Sequence, residues 1–166
     1  MTGQIALDVK CVNFLKDNQR VYALKAARKK IALIGLDATN SHSSDVRLVL
    51  GSSQLIADGK SFPVESRAVI LRKLSPFTWD FLIYLIFDFH PVLAAIDAFL
   101  FLTGPIYNWR LRWQLKLLSD GETLLRPGES TKVVLGFRGV STKPDQLKLC
   151  YCCGDGETQT LQCEIG

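Results

Sequence analysis

The chain has 166 residues, of which 48% are hydrophobic and 22% charged, and 20 basic against 16 acidic side chains leave a formal charge of +4. This composition is sufficient for one folded domain with its own core, and it excludes a long disordered tail. The basic residues are spread along the chain and are not gathered in one arm, so we expect no nucleic-acid partner. We therefore predict a single domain over residues 1–166.

The first ten residues, MTGQIALDVK, contain no basic stretch followed by an apolar run and a cleavage site. They therefore predict a cytoplasmic protein, with the option of a peripheral position at a membrane. The odd number of cysteines argues against a fully paired secreted framework, and in a reducing compartment we expect free thiols. The five are Cys11, Cys150, Cys152, Cys153 and Cys163.

Alternation of apolar and polar residues predicts about nine short strands. The clearest case is WRLRWQLKL, residues 109–117, in which tryptophans and leucines alternate with arginine, glutamine and lysine. The predicted strands cover residues 5–12, 20–26, 30–39, 45–50, 67–72, 109–117, 131–137, 146–153 and 158–165.

Turn dipeptides separate several of these strands and allow positive φ at low cost. They are Asp58-Gly59, Asp120-Gly121, Pro127-Gly128 and Asp155-Gly156. Many short strands separated by such turns favour a mainly β fold, a β-sandwich, in which the last two strands form a hairpin.

Residues 75–105, SPFTWDFLIYLIFDFHPVLAAIDAFLFLTGP, interrupt this pattern with an apolar block. Ser75-Pro76 is typical of a helix start, Gly104-Pro105 of a stop, and His90-Pro91 breaks the middle. The block therefore predicts a helical hairpin inserted in the sandwich, with arms at residues 76–88 and 91–103.

Length argues against a membrane-spanning helix in either arm. At about 1.5 Å per residue each arm covers roughly 20 Å, less than the roughly 30 Å hydrocarbon core. One continuous helix would place Asp80, Asp88 and Asp97 at membrane depth, where an aspartate is costly. Basic and aromatic residues at both ends of the block suit contact with an anionic leaflet, although Trp109 and Trp113 are already assigned to a strand core. Burial against the chain itself, a second subunit or lipid all stay open.

The apolar side chains of the block form the predicted interaction surface. They are Trp79, Phe81, Ile83, Leu85, Phe87, Phe89, Leu93, Ile96, Phe99, Leu100 and Phe101.

Two loose motifs resemble the telokin-like, immunoglobulin-fold domains of many uncharacterised bacterial proteins. The first runs from Thr39-Asn40 through a Ser/Asp turn to Leu55, Asp58-Gly59-Lys60, Phe62 and Glu65. The second holds Pro127-Gly128-Glu129, Gly136, Phe137, Pro144, Leu147, Leu149 and Tyr151. The resemblance covers roughly residues 5–73 and 109–165 and implies an immunoglobulin-like sandwich. Those domains are usually exported or lipid-anchored and lack the 76–103 insertion, so the insertion is the best candidate for this chain's own function.

Chemical sites have weak support in the sequence. The strand CYCC points Cys150 and Cys152 one way and Cys153 the other, which disfavours a zinc site, and a disulfide between Cys150 and Cys163 stays open. Asp88, His90 and Asp97 are the one carboxylate and imidazole group worth testing as a metal or acid–base site. His42 is interpreted as a loop residue, and we expect no cofactor.

These observations predict a non-catalytic interaction module. Its apolar hairpin docks on a partner subunit of the same or another chain, on a membrane protein or on a membrane surface, and the sandwich is a rigid platform. The alternatives are a small metal-dependent enzyme that uses Asp88, His90 and Asp97, or a carrier of a small apolar ligand between hairpin and sheet.

Overall fold

A computed structural model describes residues 7–15, 22–75, 91–154 and 157–166, and within the helix that starts at Pro91 it describes side chains from residue 103 onward. These parts of the chain form a mainly β structure with two sheets and three α-helices. The strands are β1 (Leu7–Asn13), β2 (Ile31–Asn40), β3 (Val46–Val49), β4 (Gln54–Ala57), β5 (Lys60–Pro63), β6 (Glu122–Leu125), β7 (Ser130–Arg138), β8 (Gln146–Cys153) and β9 (Gln159–Glu164). The helices are α1 (Ala23–Arg28), α2 (Arg67–Leu74) and α3 (Pro91–Gln114).

The smaller sheet has the antiparallel order β1-β2-β7. Its register pairs Leu7 with Asn40 at one end of the first ladder and Ile31 with Arg138 at one end of the second. β2 is buried along most of its length, because it lies in the middle of this sheet and both of its faces are covered. Residues 30–39 form a strand, as predicted, but the apolar run IALIGL is buried on both faces and not on one.

The larger sheet is built around β8. β3 and β4 both pair with β8 on separate parts of its length, and a short 3-10 turn, Leu50–Ser52, divides them, so together they behave as one bent strand. β5 extends the sheet beside β4, and β6 extends it beside β3. β9 pairs with β8 in the antiparallel hairpin that the sequence predicts.

The two sheets share one core. Its buried members alternate along the strands of both sheets, as Ile34, Leu36 and Phe137 do in the smaller sheet and Leu48 and Leu149 in the larger. A sandwich-like arrangement follows from this shared cluster.

A second core covers the other face of the smaller sheet. Leu33 of β2 and Val134 of β7 pack there against Ala26 of α1, Ile70 of α2 and Leu111 of α3. The described part of the molecule therefore has three layers: helices, the smaller sheet and the larger sheet.

Three predicted strands are wrong, because α-helices occupy most of what the structure describes of these segments. Residues 20–26 overlap α1, whose Ala26 is fully buried, and residues 67–72 lie in α2. α2 begins after Ser66, whose Oγ accepts a hydrogen bond from the Val69 N–H at 3.4 Å, the usual N-cap arrangement. Ile70 and Leu74, four residues apart, bury one side of this helix.

The third error is the segment 109–117, which belongs to α3 and the turn that follows it. α3 begins at Pro91, as predicted, but it passes through Gly104-Pro105 and ends at Gln114. A segment with apolar residues at every second position also has them at every fourth position, which is the spacing along one face of a helix. Leu111 and Leu115 therefore suit a helix as well as a strand. Ser75 follows α2 as its C-cap residue. The first predicted arm, residues 76–88, lies outside the described residues.

Three strands were missed by the sequence analysis. β4 and β5 flank the predicted turn at Asp58 and Gly59, whose φ values of 51° and 68° are those of a tight hairpin. β6 lies between the predicted turns Asp120-Gly121 and Pro127-Gly128. Each of these strands has only four residues, too few to establish a period.

Candidate interaction surface

All eleven residues of the predicted interaction surface lie where the structure describes no side chains. Trp79, Phe81, Ile83, Leu85, Phe87 and Phe89 lie outside the described residues. Leu93, Ile96, Phe99, Leu100 and Phe101 lie on α3, where the backbone is helical and the side chains are outside the described set. Their contacts remain a prediction.

The side chains of the predicted polar site are not described either. Asp88 and His90 lie outside the described residues, and Asp97 belongs to the backbone of α3 only. Over the ranges that the structure describes, no group of three His, Cys, Asp or Glu side chains is placed to hold a metal ion.

All five cysteines are free thiols. Cys163 lies opposite Leu147 in the β8–β9 ladder, and Cys150 lies opposite Thr160, so these two cysteines are three ladder positions apart. This register does not support a Cys150–Cys163 disulfide.

An exposed aromatic surface on α3 was missed by the sequence analysis. Ile106, Trp109 and Trp113 are 65%, 69% and 64% exposed, and with the exposed Arg110 they lie on one side of the helix. We call these four residues the tryptophan face. The prediction that Trp109 and Trp113 are strand core is wrong.

The opposite side of the same helix anchors it to the sheet. Leu111 and Leu115 are almost fully buried against the second core, and Tyr107 packs beside them. The tryptophan face therefore points away from the sheet. Spacing of i, i+3 and i+7 at residues 106, 109 and 113 is the signal that a helical interpretation would have used.

Basic residues surround the tryptophan face. Arg112 and Lys116 are exposed, and Lys116 Nζ lies 5.9 Å from the centre of the Trp113 ring, at the outer limit of a cation–π contact. The three helices together hold seven basic residues and one acidic residue. They are Lys25, Arg28, Arg67, Arg72, Lys73, Arg110 and Arg112, against Asp97.

This charge is a property of the helical layer and not of the whole chain. The chain has 20 basic and 16 acidic residues, so the excess of basic over acidic residues is proportionally much larger in the three described helices than in the chain as a whole. The helical layer therefore presents a positive surface on one side of the smaller sheet.

The end of α2 lies beside the C-terminal part of α3. Ser75, at the end of α2, donates a hydrogen bond from its Oγ to Asn108 Oδ1 of α3 at 2.6 Å. Lys25 Nζ of α1 donates to the Ser75 carbonyl oxygen, also at 2.6 Å, and burial followed by repulsion from Lys29 lowers the pKa of Lys25. Residues 75 and 108 are therefore neighbours in the structure.

Among the helical residues open to description, none forms a helix both long and apolar enough to cross a membrane. A scan against protein-family models finds no family that matches the chain, and a search of curated proteins finds no match either.

Proposed function

We propose that this protein is a non-catalytic interaction module that attaches to an anionic membrane surface through residues 76–113. The sandwich serves as the platform that this attachment holds at the surface. The single observation that carries the proposal is the tryptophan face, which continues an apolar segment on the positive side of the molecule.

We propose that residues 76–88 and 91–103 form the predicted helical hairpin. The Ser75–Asn108 hydrogen bond supports this, because it requires the excursion to begin and end at one point. From Asn108 back to Pro91, α3 covers about 25 Å at 1.5 Å per residue. The chain between Ser75 and Pro91 must cover a similar distance, and a helical path of that length spans about 24 Å.

The dimensions of the hairpin suit one leaflet. The stretch from Pro91 to Thr103, which is apolar except for Asp97, is about 18 Å long, a little more than half of the roughly 30 Å hydrocarbon core. Trp109 and Trp113 then lie at the level of the headgroups, where tryptophan is enriched. Arg110 and Arg112 lie at the same level and contribute about 1 kcal/mol each near anionic lipid.

A second subunit is the competing occupant of this surface, since exposed aromatic residues are also common in protein interfaces. The charge of the helical layer favours lipid. Two copies that meet through this layer would bring like charges together, whereas an anionic leaflet neutralises them.

We also propose that the sandwich is immunoglobulin-like. Two facing sheets with a shared core and a terminal hairpin support this topology, as does the position of Asn40 from the Thr39-Asn40 motif at the end of β2.

Vesicle co-sedimentation tests the membrane proposal. The wild-type protein should bind vesicles of phosphatidylcholine and phosphatidylserine and bind pure phosphatidylcholine vesicles much more weakly. Trp109→Ala with Trp113→Ala should reduce binding to the mixed vesicles at least about tenfold, because each indole buries apolar area at about 25 cal/mol per Å². Arg110→Gln with Arg112→Gln should reduce it by about 30-fold at low salt, from about 1 kcal/mol per charge.

Exposed residues on other parts of the molecule provide the matched controls. Leu124→Ala removes a half-exposed apolar side chain from β6, and Lys60→Gln with Lys143→Gln removes two exposed charges, so none of these changes should affect binding. Light scattering distinguishes a membrane from a second subunit as the partner of the tryptophan face. If the protein is a stable oligomer that does not bind the mixed vesicles, and if Trp109→Ala with Trp113→Ala dissociates it, the partner is a second subunit and not a membrane.

A further inference from the structure

We propose that Cys11 and Cys163 are an oxidation-sensitive clasp that joins β1 to β9 and so closes the open side of the sandwich. This inference does not depend on the proposed membrane contact, because both cysteines lie on the strands and not in the helical layer.

The two strands belong to different sheets and meet at one side of the molecule. β1 is an edge strand of the smaller sheet, and β9 pairs with β8 at the side of the larger sheet. An isolated parallel bridge links Cys11 to Ile165, and the Gly166 N–H donates to the Cys11 carbonyl oxygen at 3.3 Å. The strands are therefore held together at this end by a few contacts only.

Cys163 lies beside β1, in the neighbourhood of Cys11. Its Sγ can donate to the Val9 carbonyl oxygen of β1 at 3.7 Å or to the Glu164 carbonyl oxygen of its own strand at 3.5 Å. The Cys163 side chain thus leaves its own sheet and points toward β1. Cys11 is buried, whereas Cys163 is half-buried.

An open groove gives a reagent access to this pair. Its volume is about 690 Å³, and it is lined by residues 7–12 of β1 and by residues 161–166, which are the end of β9 and the two residues after it. This size is within the range of small-molecule pockets. Cys163 is therefore the thiol that a small disulfide reaches first.

The other three cysteines have different surroundings. Cys150 Sγ donates to the Ser52 carbonyl oxygen at 3.4 Å, and Cys152 Sγ contacts Thr158 Oγ1 at 3.3 Å. Cys153 packs against the core between the sheets. Cys11 and Cys163 are the pair that lies on neighbouring strands of different sheets.

Closing the bond requires a small movement of β9. Cys163 is two residues from Ile165, so it is the diagonal neighbour of Cys11, and diagonal Cα atoms lie about 7–8 Å apart. A disulfide requires about 4.4–6.8 Å. Oxidation therefore draws β9 toward β1 and narrows the groove.

The chemistry balances with a low-molecular-weight disulfide such as glutathione disulfide as the oxidant. The Cys163 thiolate attacks one sulfur of the reagent, which breaks its S–S bond and releases one thiolate that takes up a proton. Cys11 then loses its proton and attacks Cys163 Sγ, and the second glutathione leaves as the thiol. The net result is one protein disulfide and two molecules of reduced glutathione. Burial raises the pKa of the Cys11 thiol, with further contributions from Cys163, so the second step is the slow one.

Peptide mapping by mass spectrometry after incubation with glutathione disulfide tests the clasp. We expect a Cys11–Cys163 cross-linked peptide that dithiothreitol removes. The oxidised protein should melt about 5 °C or more above the reduced protein, because the bond closes a loop of most of the chain. Cys163→Ser should abolish both effects, and the control Cys150→Ser should leave both unchanged.

Three outcomes would overturn the clasp. They are a cross-link that maps to another pair of cysteines, a glutathione adduct on Cys163 that never resolves to an internal bond, and a bond whose formation leaves the melting temperature unchanged. Reduced and oxidised wild-type protein provide the comparison even where a variant folds poorly.

Discussion

At the scale of single residues, Asn40 organises one end of the sandwich. It is fully buried, and its Nδ2 donates to the carbonyl oxygens of Ser44 and Leu125 at 2.9 Å each. Its Oδ1 accepts from the His42 N–H at 2.8 Å. One side chain therefore satisfies backbone groups of the β2–β3 loop and of β6, two segments far apart in the sequence.

Asn40→Ala should destabilise the protein by about 2–4 kcal/mol, because it leaves buried backbone groups without partners. Asn40→Asp should cost at least as much at neutral pH, since a carboxylate would face two carbonyl oxygens. The folded protein favours the protonated form of the introduced carboxyl group, so the loss of stability caused by Asn40→Asp should become smaller as pH falls. Urea denaturation at several pH values measures both effects.

Thr39→Ala is the matched control for this position. The Thr39 hydroxyl contacts the Ser130 hydroxyl at 2.8 Å on the exposed side of the ladder, so its loss should cost less than about 1 kcal/mol. Equal losses at residues 39 and 40 would contradict the organising role of Asn40. The sequence marked the Thr39-Asn40 pair, but it could not show which backbone groups the amide meets, because those partners depend on the tertiary fold.

At the scale of elements, the sequence predicted the long strands well. Residues 146–153 form β8 with the predicted bounds, and residues 131–137 lie within β7. The prediction of strands was wrong where α1, α2 and α3 cover the smaller sheet. These helices are short or are held by one narrow stripe of apolar side chains, such as Ile70 and Leu74. Apolar residues four positions apart also fit the alternating pattern of a strand.

The packing of α2 on the smaller sheet depends on a glycine. A Cβ at Gly136 of β7 would lie 2.7 Å from Ile70 Cγ1, closer than side chains tolerate. The helix can therefore approach the strand only because no side chain stands there. This explains in physical terms a glycine that the sequence showed only as part of a motif.

Gly136→Ala should destabilise the protein by about 1–3 kcal/mol, because the added methyl pushes α2 away from β7. In a background of Ile70→Ala the same change should cost at least about 1 kcal/mol less, since the opposing Cγ1 is gone. Chemical denaturation of the four proteins of this double-mutant cycle measures the coupling. Gly121→Ala is the control, because nothing lies within 4 Å of its added Cβ. Additive losses in the cycle would contradict the close approach.

At the scale of the whole molecule, the Ser75–Asn108 contact brings the end of α2 beside α3. Composition marked residues 75–105 as an apolar block and predicted an insertion there. It could not show that residues 75 and 108 are neighbours, because that depends on how α2 and α3 pack on the smaller sheet. The tryptophan face was hidden for the same reason, since Trp109 and Trp113 also satisfied a strand pattern.

Replacing residues 76–103 with a short Gly/Ser linker should leave a folded protein that no longer binds the mixed vesicles. Leu111 and Leu115 keep their contacts with the second core, so the melting temperature should stay within a few degrees of the wild-type value. Calorimetry checks the melting temperature, and vesicle co-sedimentation of the same preparation checks the loss of binding. A variant that unfolds or aggregates would show that residues 76–103 pack inside the domain, and one that still binds the vesicles fully would remove the hairpin from the proposed attachment.

The three-layer order also has a consequence for orientation. Helices and sheets stack at spacings of about 10 Å, so the outward face of the larger sheet stands roughly 20 Å from the axes of the helices. On a bilayer, the outward face of the larger sheet, with β8 and β9, would stand away from the headgroups and face the aqueous phase. A soluble partner would meet this face first. The groove beside Cys163 would open at the side of the molecule, where dissolved reagents can reach it.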